Sequence, residues 1–205
     1  MSITDQVVEL RRLVEEANPG APLTDLRPGA DRSAIAISEQ RVGIDFPDEL
    51  RELYLFTNGG FITSRLWTEA KAIGTIDASV YAEHYTTEQY TLHCDASKTL
   101  DLTPGGTWTG RLLYSLAPES CGQILFHYVE HETVFEPMFD NLEAHFDYLL
   151  EAARRDLFMI NEVGDLRTIH LRMNTEDPNR HFPIPEAMEF IAEYGFSVTQ
   201  SGLVY

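Results

Sequence analysis

Apolar positions at helical spacing mark the first element of the chain. The predicted helix begins at Ser2 or Thr4 and stops at residues 18–20, where a proline and a glycine interrupt it. Its apolar face is formed by Val7, Leu10, Val14 and Ala17. The residues up to Arg32 contain Pro22, Pro28 and Gly29 and predict a loop.

A stronger helix is predicted after a short helical turn at residues 38–43. Pro47 suits its first turn, and the two acidic residues that follow lie where the helix dipole favours negative charge. Its apolar face consists of Leu50, Leu53, Tyr54 and Thr57, at positions i, i+3, i+4 and i+7. Asn58-Gly59-Gly60 ends the helix.

From Phe61 the pattern changes to short β-branched or aromatic runs separated by turn residues. Strands are predicted at residues 61–63, 72–76, 112–116, 123–129 and 133–135, with turns at 104–106 and 119–122. Their spacing favours an antiparallel meander. Residues 80–92 fit either a helix or an irregular lid.

Helical spacing returns in the last third of the chain. A helix is predicted at 141–155 with Asn141 as its cap, followed by a strand at 166–171, a helix from Pro185 to Gly195 and a final strand at 196–198. Helices that are separate from a run of consecutive strands indicate an α+β fold.

The charge of the chain excludes several function classes. Its 205 residues include 33 Asp and Glu against 15 Lys and Arg, which gives a formal net charge of −18. Lys71 and Lys98 are the only lysines. Because nucleic-acid binding depends on basic residues that neutralise phosphates, we expect neither a nucleic acid nor an anionic membrane as the ligand. A basic protein partner fits the charge better.

The termini and cysteines suggest an intracellular setting. Residues 1–5 lack the basic and apolar regions of a secretory signal, and no run of about 18 apolar residues could span a membrane. Cys94 and Cys121 are too few for a disulfide framework. We therefore expect a cytoplasmic protein, and the sequence leaves its oligomeric state open.

The sharpest catalytic motif is His127-Tyr128-Val129-Glu130-His131, which matches the H-x-x-E-H pattern of inverted zinc peptidases. That chemistry requires both histidines on one face of a helix, with the glutamate one turn away. Here the motif continues an apolar strand, in which His127 and His131 share a face and Glu130 points to the other. A metal-dependent hydrolase is the least favoured hypothesis, and we expect no metal or other cofactor.

No other catalytic signature is present. Ser120 and Cys121 lie in Glu-Ser-Cys-Gly, which lacks the G-x-S-x-G elbow, although Cys121 could still recruit a histidine from elsewhere in the fold. Residues 104–106 are too few for a phosphate loop. The sequence favours a protein that is not an enzyme.

The negative charge is concentrated in one part of the chain. Between Asp77 and Glu151 there are thirteen acidic residues against two basic ones, so that this span holds −11 of the charge. Its simplest interpretation is a solvated acidic surface. The functional interpretation is a docking face for a basic protein, with candidate residues Asp77, Glu83, Glu88, Asp95, Asp101, Glu119, Glu130, Glu132 and Glu136.

One segment resembles a known family. Residues 41–60 contain Val42-Gly43, Phe46-Pro47 and an apolar helix that ends in Asn58-Gly59-Gly60, as in the signature of the SUKH superfamily. Gly122 after a polar turn and the helix after Asn141 are similar to the family's later hairpin and closing helix. The residues of this resemblance, Pro47, Asn58, Gly59, Gly60 and Gly122, have folding roles and support the fold rather than a site.

The resemblance has consequences for domains and function. It implies a SUKH-like domain at residues 1–155, with N-terminal helices packed on a mainly antiparallel sheet, and leaves 156–205 as a strand-helix-strand extension on the same domain. It also implies a non-enzymatic immunity protein that binds and neutralises a toxin, often a nuclease, whose basic cleft an acidic protein can fill. The alternative that it implies is a regulatory or scaffold protein that binds a cellular protein.

Overall fold

The structure of the chain is a computed structural model. It describes residues 1–19, 26–61, 66–67, 74–75, 98–102, 111–127, 136–163, 166–171 and 183–196. The helices are α1 (Ile3–Ala17), α2 (Arg32–Val42), α3 (Asp48–Phe56), α4 (Leu142–Arg154) and α5 (Pro185–Glu193). The strands are β1 (Gly60–Phe61), β2 (Leu66–Trp67), β3 (Gly74–Thr75), β4 (Thr99–Asp101), β5 (Arg111–Ser115), β6 (Ile124–His127), β7 (Glu136–Phe139), β8 (Phe158–Val163) and β9 (Leu166–Leu171).

Helix α1 confirms the first predicted helix. Its cap is Ser2, whose side chain accepts a hydrogen bond from the amide of Asp5 at 3.1 Å. Val7, Leu10 and Val14 are buried, whereas Ala17 is exposed. The helix packs along α4, and Gln6 Nε2 donates to Asp147 Oδ1 at 2.7 Å across that contact.

Helix α2 is longer than the helical turn predicted at residues 38–43, and it replaces the end of the predicted loop. Asp31 caps it by accepting from the amide of Ala34 at 2.8 Å, and Gly43 ends it with a positive φ of 75°. Within α2 only Ile35 and Ser38 are buried. Because most of the surface of α2 faces solvent, its sequence has only a weak apolar pattern.

Helix α3 confirms the strongest sequence prediction. It follows Pro47 and buries Leu50, Leu53 and Tyr54. The chain then reverses through Gly59 and Gly60, whose φ values of 87° and 119° are unfavourable for other residues. Thr57 Oγ1 donates to the carbonyl of Gly59 at 2.9 Å, which fixes the reversal.

The predicted meander is confirmed for β3 to β7, whereas β1, at the predicted strand 61–63, pairs with β2 in a separate two-stranded sheet. Strands β3 to β7 form a five-stranded sheet in sequence order, and every neighbouring pair is antiparallel. The sequence did not predict β4. It placed a strand at 133–135, outside the described residues, and did not predict β7 at 136–139. The lid or helix considered at residues 80–92 also lies outside the described residues.

Helix α4 closes the domain as predicted. Asn141 caps it by accepting from the amide of Ala144 at 2.8 Å. Its buried residues, which include Phe146, Leu149 and Leu150, join one apolar core with residues of α1, α3 and the sheet. These observations confirm the α+β class.

The C-terminal part differs in its order of elements from the predicted strand-helix-strand extension. It begins with a hairpin, because β8 pairs with the predicted strand β9, and α5 follows. Phe196 is not in a strand, and residues 197–198 lie outside the described residues. Phe190 stacks on Tyr148 of α4 with ring centroids 4.9 Å apart. The division between residues 155 and 156 stays a prediction.

Candidate functional site

The structure describes three of the nine acidic residues predicted to bind a partner. Asp101, Glu119 and Glu136 lie in described elements. The other six, Asp77, Glu83, Glu88, Asp95, Glu130 and Glu132, lie outside the described residues.

Asp101 is a buried residue of the sheet. It ends β4, opposite Gly74 and Leu113, and only 5% of its surface is exposed. Its charge also acts on the fully buried hydroxyl of Tyr54, where burial first and Asp101 second raise the pKa of the tyrosine. Asp101 is therefore not displayed to a partner, in contrast to the sequence-based expectation.

Glu119 is exposed in the tight turn between β5 and β6, and Glu136 begins β7 in register with Phe126. The turn of Glu119 also contains Gly122, which lies against the residue that joins β7 to α4. A Cβ atom on Gly122 would be 3.8 Å from the carbonyl oxygen of Asp140. The β5–β6 turn and the start of α4 thus meet at one end of the sheet.

Three exposed carboxylates surround this meeting point. Glu119 belongs to the turn, Asp140 precedes α4, and Glu143 lies in the first turn of α4. We call these three residues the carboxylate rim. Asp140 and Glu143 were counted in the acidic span of the sequence but were not selected as binding residues, because sequence spacing alone does not bring them to Glu119.

At the centre of the carboxylate rim lies Glu49, which connects three elements. It belongs to α3, its Oε1 accepts a hydrogen bond from the hydroxyl of Tyr114 on β5 at 2.5 Å, and it accepts from the backbone amide of Leu142 at the start of α4. Sequence reasoning did not single out Glu49 or Tyr114. The available signal was the position of Glu49 in the first turn of α3, two residues after Pro47.

Burial raises the pKa of Glu49 above its ordinary value, and the charge of Glu143 raises it further. The hydrogen bonds from Tyr114 and Leu142 oppose this shift. Burial and then the bond to Glu49 raise the pKa of Tyr114, so that its hydroxyl remains a donor at neutral pH. The pair is a structural connection rather than an acid and base poised for proton transfer.

Gly122 has two reasons to be glycine. Its φ is 95°, which other residues rarely adopt. A Cβ atom would also stand 3.3 Å from Oε1 of Glu49 and 3.8 Å from the hydroxyl of Tyr114. Two parts of the sequence motif therefore support the same end of the molecule. They are Pro47 before α3 and Gly122 in the later hairpin.

The hypothetical zinc motif lies mostly outside the described residues. His127 ends β6, so its first histidine is in a strand and not in the helix that such a motif requires. Glu130 and His131 are not described. Among the described residues, no group of three or more His, Cys, Asp or Glu side chains is arranged to hold a metal ion.

Carboxylates define the chemistry of this end of the sheet. The carboxylate rim consists of exposed hydrogen-bond acceptors of negative charge. Cys121 is exposed beside Gly122.

None of the helices in the described ranges is both long and apolar enough to cross a membrane.

Most of the chain matches the model of a known protein family. The model of the SMI1 / KNR4 family (SUKH-1) matches residues 29–193, which include α2 to α5 and all nine strands. No curated protein matches the chain.

Proposed function

The chain belongs to the SMI1 / KNR4 family (SUKH-1), and from this premise we propose that it is a non-enzymatic immunity protein that neutralises a basic toxin by direct binding. Members of this family are often toxin immunity proteins. The family is generally non-enzymatic, which agrees with a sequence whose sharpest catalytic motif begins in a strand and not in the helix that a zinc peptidase requires.

The observation that carries the proposal is the net charge of −18 on a chain of this family. A toxin that cleaves nucleic acid has a basic cleft for phosphates, and a strongly acidic protein is attracted to that cleft over long range. The same charge disfavours nucleic acid as a ligand. A toxic nuclease is therefore the partner class that the charge fits best.

The carboxylate rim supports a direct mode of binding. Its three side chains are exposed, while the backbone that presents them is held by the bonds of Glu49 to Tyr114 and Leu142. A rigid backbone limits the conformational entropy that is lost when a partner binds. We propose that the rim, with the acidic residues of the 77–136 span other than the buried Asp101, contacts basic side chains of the toxin.

The first experiment tests the partner. The protein is co-expressed with a catalytically inactive form of the basic toxin domain encoded by a neighbouring gene, and the complex is isolated through a tag on the toxin. We expect a stoichiometric complex, and protection of cells that express the active toxin. If the protein neither binds the neighbouring product nor protects cells, the immunity role is wrong. Capture of a cellular protein instead would indicate a regulatory or scaffold role.

A second measurement tests the absence of enzymatic metal chemistry. The purified protein is analysed for zinc by mass spectrometry, before and after incubation with zinc and desalting. We expect less than one zinc ion per ten molecules in both samples, an order-of-magnitude threshold far below the full occupancy that a catalytic zinc site shows. If the protein binds one zinc ion per molecule and His127→Ala abolishes this binding, the result would support the hydrolase hypothesis.

A further inference from the structure

An open groove lies between helices α1, α2 and α3. Its volume is about 770 Å³, its floor is the outer side of α3, and its walls are α2 and the start of α1. Leu55 in this groove is a large apolar side chain that is 42% exposed. Val8, four residues after the groove residue Thr4 and thus on the same side of α1, is 51% exposed.

Part of the charge in the groove is already neutralised. Glu39 Oε1 accepts from the amide of Phe46 at 2.8 Å and from Arg51 Nε at 2.8 Å, and this pairing raises the pKa of Arg51. Glu52 accepts from the amide of Thr4 at 3.2 Å. These contacts connect α1, α2 and α3, so the groove has a defined shape.

Two charges in the groove remain available. Arg32 is exposed and forms no ion pair within the described residues. Asp48 is fully exposed and has only a 3.5 Å contact with Arg51. Because residues 43–47 turn the chain back between α2 and α3, Asp48 lies at the turn and Arg32 at the far end of α2, beside Leu55. The groove thus has a cation at one end and a carboxylate at the other.

This arrangement is complementary to itself. A two-fold axis across the middle of the groove would place Arg32 of one copy opposite Asp48 of the other, twice, with each Leu55 beside its own Arg32 and close to Asp48 of the other copy. Asp48 and Leu55 are separated by about 10 Å along α3, a span that two such pairs can cover.

The balance of charge favours a second copy over a basic partner. Two arginines and three carboxylates line the groove, so it is nearly neutral on a chain of charge −18. Repulsion between two copies is therefore weak at this face, and so is attraction for a strongly basic protein. We propose that two copies of this chain pair through the groove between α1, α2 and α3, leaving the carboxylate rim free.

The first test measures association of the wild-type chain and two matched variants. Sedimentation velocity is recorded from about 1 μM to about 500 μM, a range that covers the affinities of small interfaces. We expect a reversible dimer for the wild type. Leu55→Glu should remain monomeric, because at each end of the interface it places a carboxylate close to Asp48 of the other copy and beside Arg32, with which it competes for pairing. Ile37→Glu should behave as the wild type, because Ile37 on α2 is 57% exposed and does not line the groove.

The second test exchanges the charges. Arg32→Asp and Asp48→Arg should each weaken the dimer by about tenfold or more, since each brings like charges together. The double variant should recover most of the affinity, because the pairs are restored with reversed sign. Circular dichroism of each variant confirms that the helices are retained.

Two outcomes would overturn the dimer. One is a wild-type chain that stays monomeric over the whole range of concentration, and the other is a double variant as weak as the single ones. Neither outcome affects the toxin-binding proposal, whose measurement is the complex with a second protein.

Discussion

At the scale of single residues, the end of the sheet depends on a contact between Gly122, Glu49 and Tyr114. Gly122 supplies a positive φ and leaves room for the Glu49 carboxylate, which accepts the Tyr114 hydroxyl. The sequence predicted a folding role for Gly122 but not its neighbours. Glu49 and Tyr114 are 65 residues apart in the chain, and no local pattern joins them.

The first residue-scale prediction concerns Gly122→Ala. We expect it to lower the free energy of unfolding by about 1–3 kcal/mol, since the alanine adopts an unfavourable φ and crowds Glu49. Gly195→Ala is the matched control, because Gly195 has a φ of 79° with nothing within 4 Å of the added Cβ. Urea unfolding measures both. Equal losses in the two variants would contradict a contribution from the Glu49 contact.

The second residue-scale prediction concerns His145 on α4. It is buried beside Phe139 and Phe146, and neither ring nitrogen has a hydrogen-bond partner in the described part of the chain. Burial lowers its pKa from the ordinary 6.5 to about 4. The unfolded chain therefore binds a proton near pH 6.5 and the folded chain only near pH 4. Protons favour the unfolded state in this window, so stability falls as the pH is lowered through it.

From this shift we expect the wild type to lose about 2 kcal/mol of stability through His145 between pH 7 and pH 5. His145→Leu should remove this part of the loss and should unfold at a similar or higher urea concentration at pH 7, since it removes a buried polar group that lacks a partner. The raised pKa of Glu49 acts in the opposite direction, but it contributes equally to both proteins. The same pH dependence in both proteins would contradict the role of His145.

At the scale of elements, caps and apolar faces account for the helices that the sequence predicted well. Helices α1, α3 and α4 have clear amphipathic patterns and recognisable first turns. Helix α2 was predicted too short because it buries only Ile35 and Ser38. Strands β2, β4, β7 and β8 were missed. The two residues of β2 and the three of β4 give too short a pattern, while β7 and β8 are defined by their pairing with β6 and β9.

The element-scale prediction compares two helix caps. Asn141→Ala should lower the free energy of unfolding by about 1–2 kcal/mol, because the capping bond from the Ala144 amide is partly buried and the freed amide reaches water less easily. Ser2→Ala should have a smaller effect, since the capping bond from the Asp5 amide is exposed to water. Thermal unfolding measures both, and Asn141→Asp, which keeps the acceptor, should restore stability. An equal effect of both caps would contradict this account.

At the scale of the whole molecule, the apolar core and the charged surfaces are formed by different residues. The apolar core joins α1, α3, α4, α5 and the sheet, and of the acidic side chains whose burial the structure describes, Asp101 alone is buried. The carboxylate rim lies where α3 meets the sheet and α4, whereas the groove is lined by α1, α2 and α3, and the two sites share no residue. One chain can therefore present an acidic face and a nearly neutral face at the same time.

The whole-molecule prediction concerns the rate of toxin binding. Glu119→Gln combined with Glu143→Gln should slow association by about threefold to tenfold at low salt, because long-range attraction depends on these exposed charges. The control is Glu186→Gln with Glu189→Gln, which removes two exposed charges from α5. Stopped-flow kinetics from about 0.05 M to about 0.5 M salt should show the difference disappear as the charges are screened. Equal slowing by both double variants would assign the effect to net charge rather than to the carboxylate rim.

The sequence by itself determined the α+β class, the helices with strong apolar faces, the antiparallel meander and the family, because these depend on periodicity, caps and turn residues that are local in the chain. Only the tertiary structure decided that Asp101 is buried, that Glu49 meets Tyr114 and Gly122, and that Arg32 and Asp48 lie at opposite ends of one groove. The physical reason is that the environment of a polar side chain is set by residues far away in sequence. Whether a carboxylate binds a partner or supports the fold therefore depends on packing, which composition and spacing do not contain.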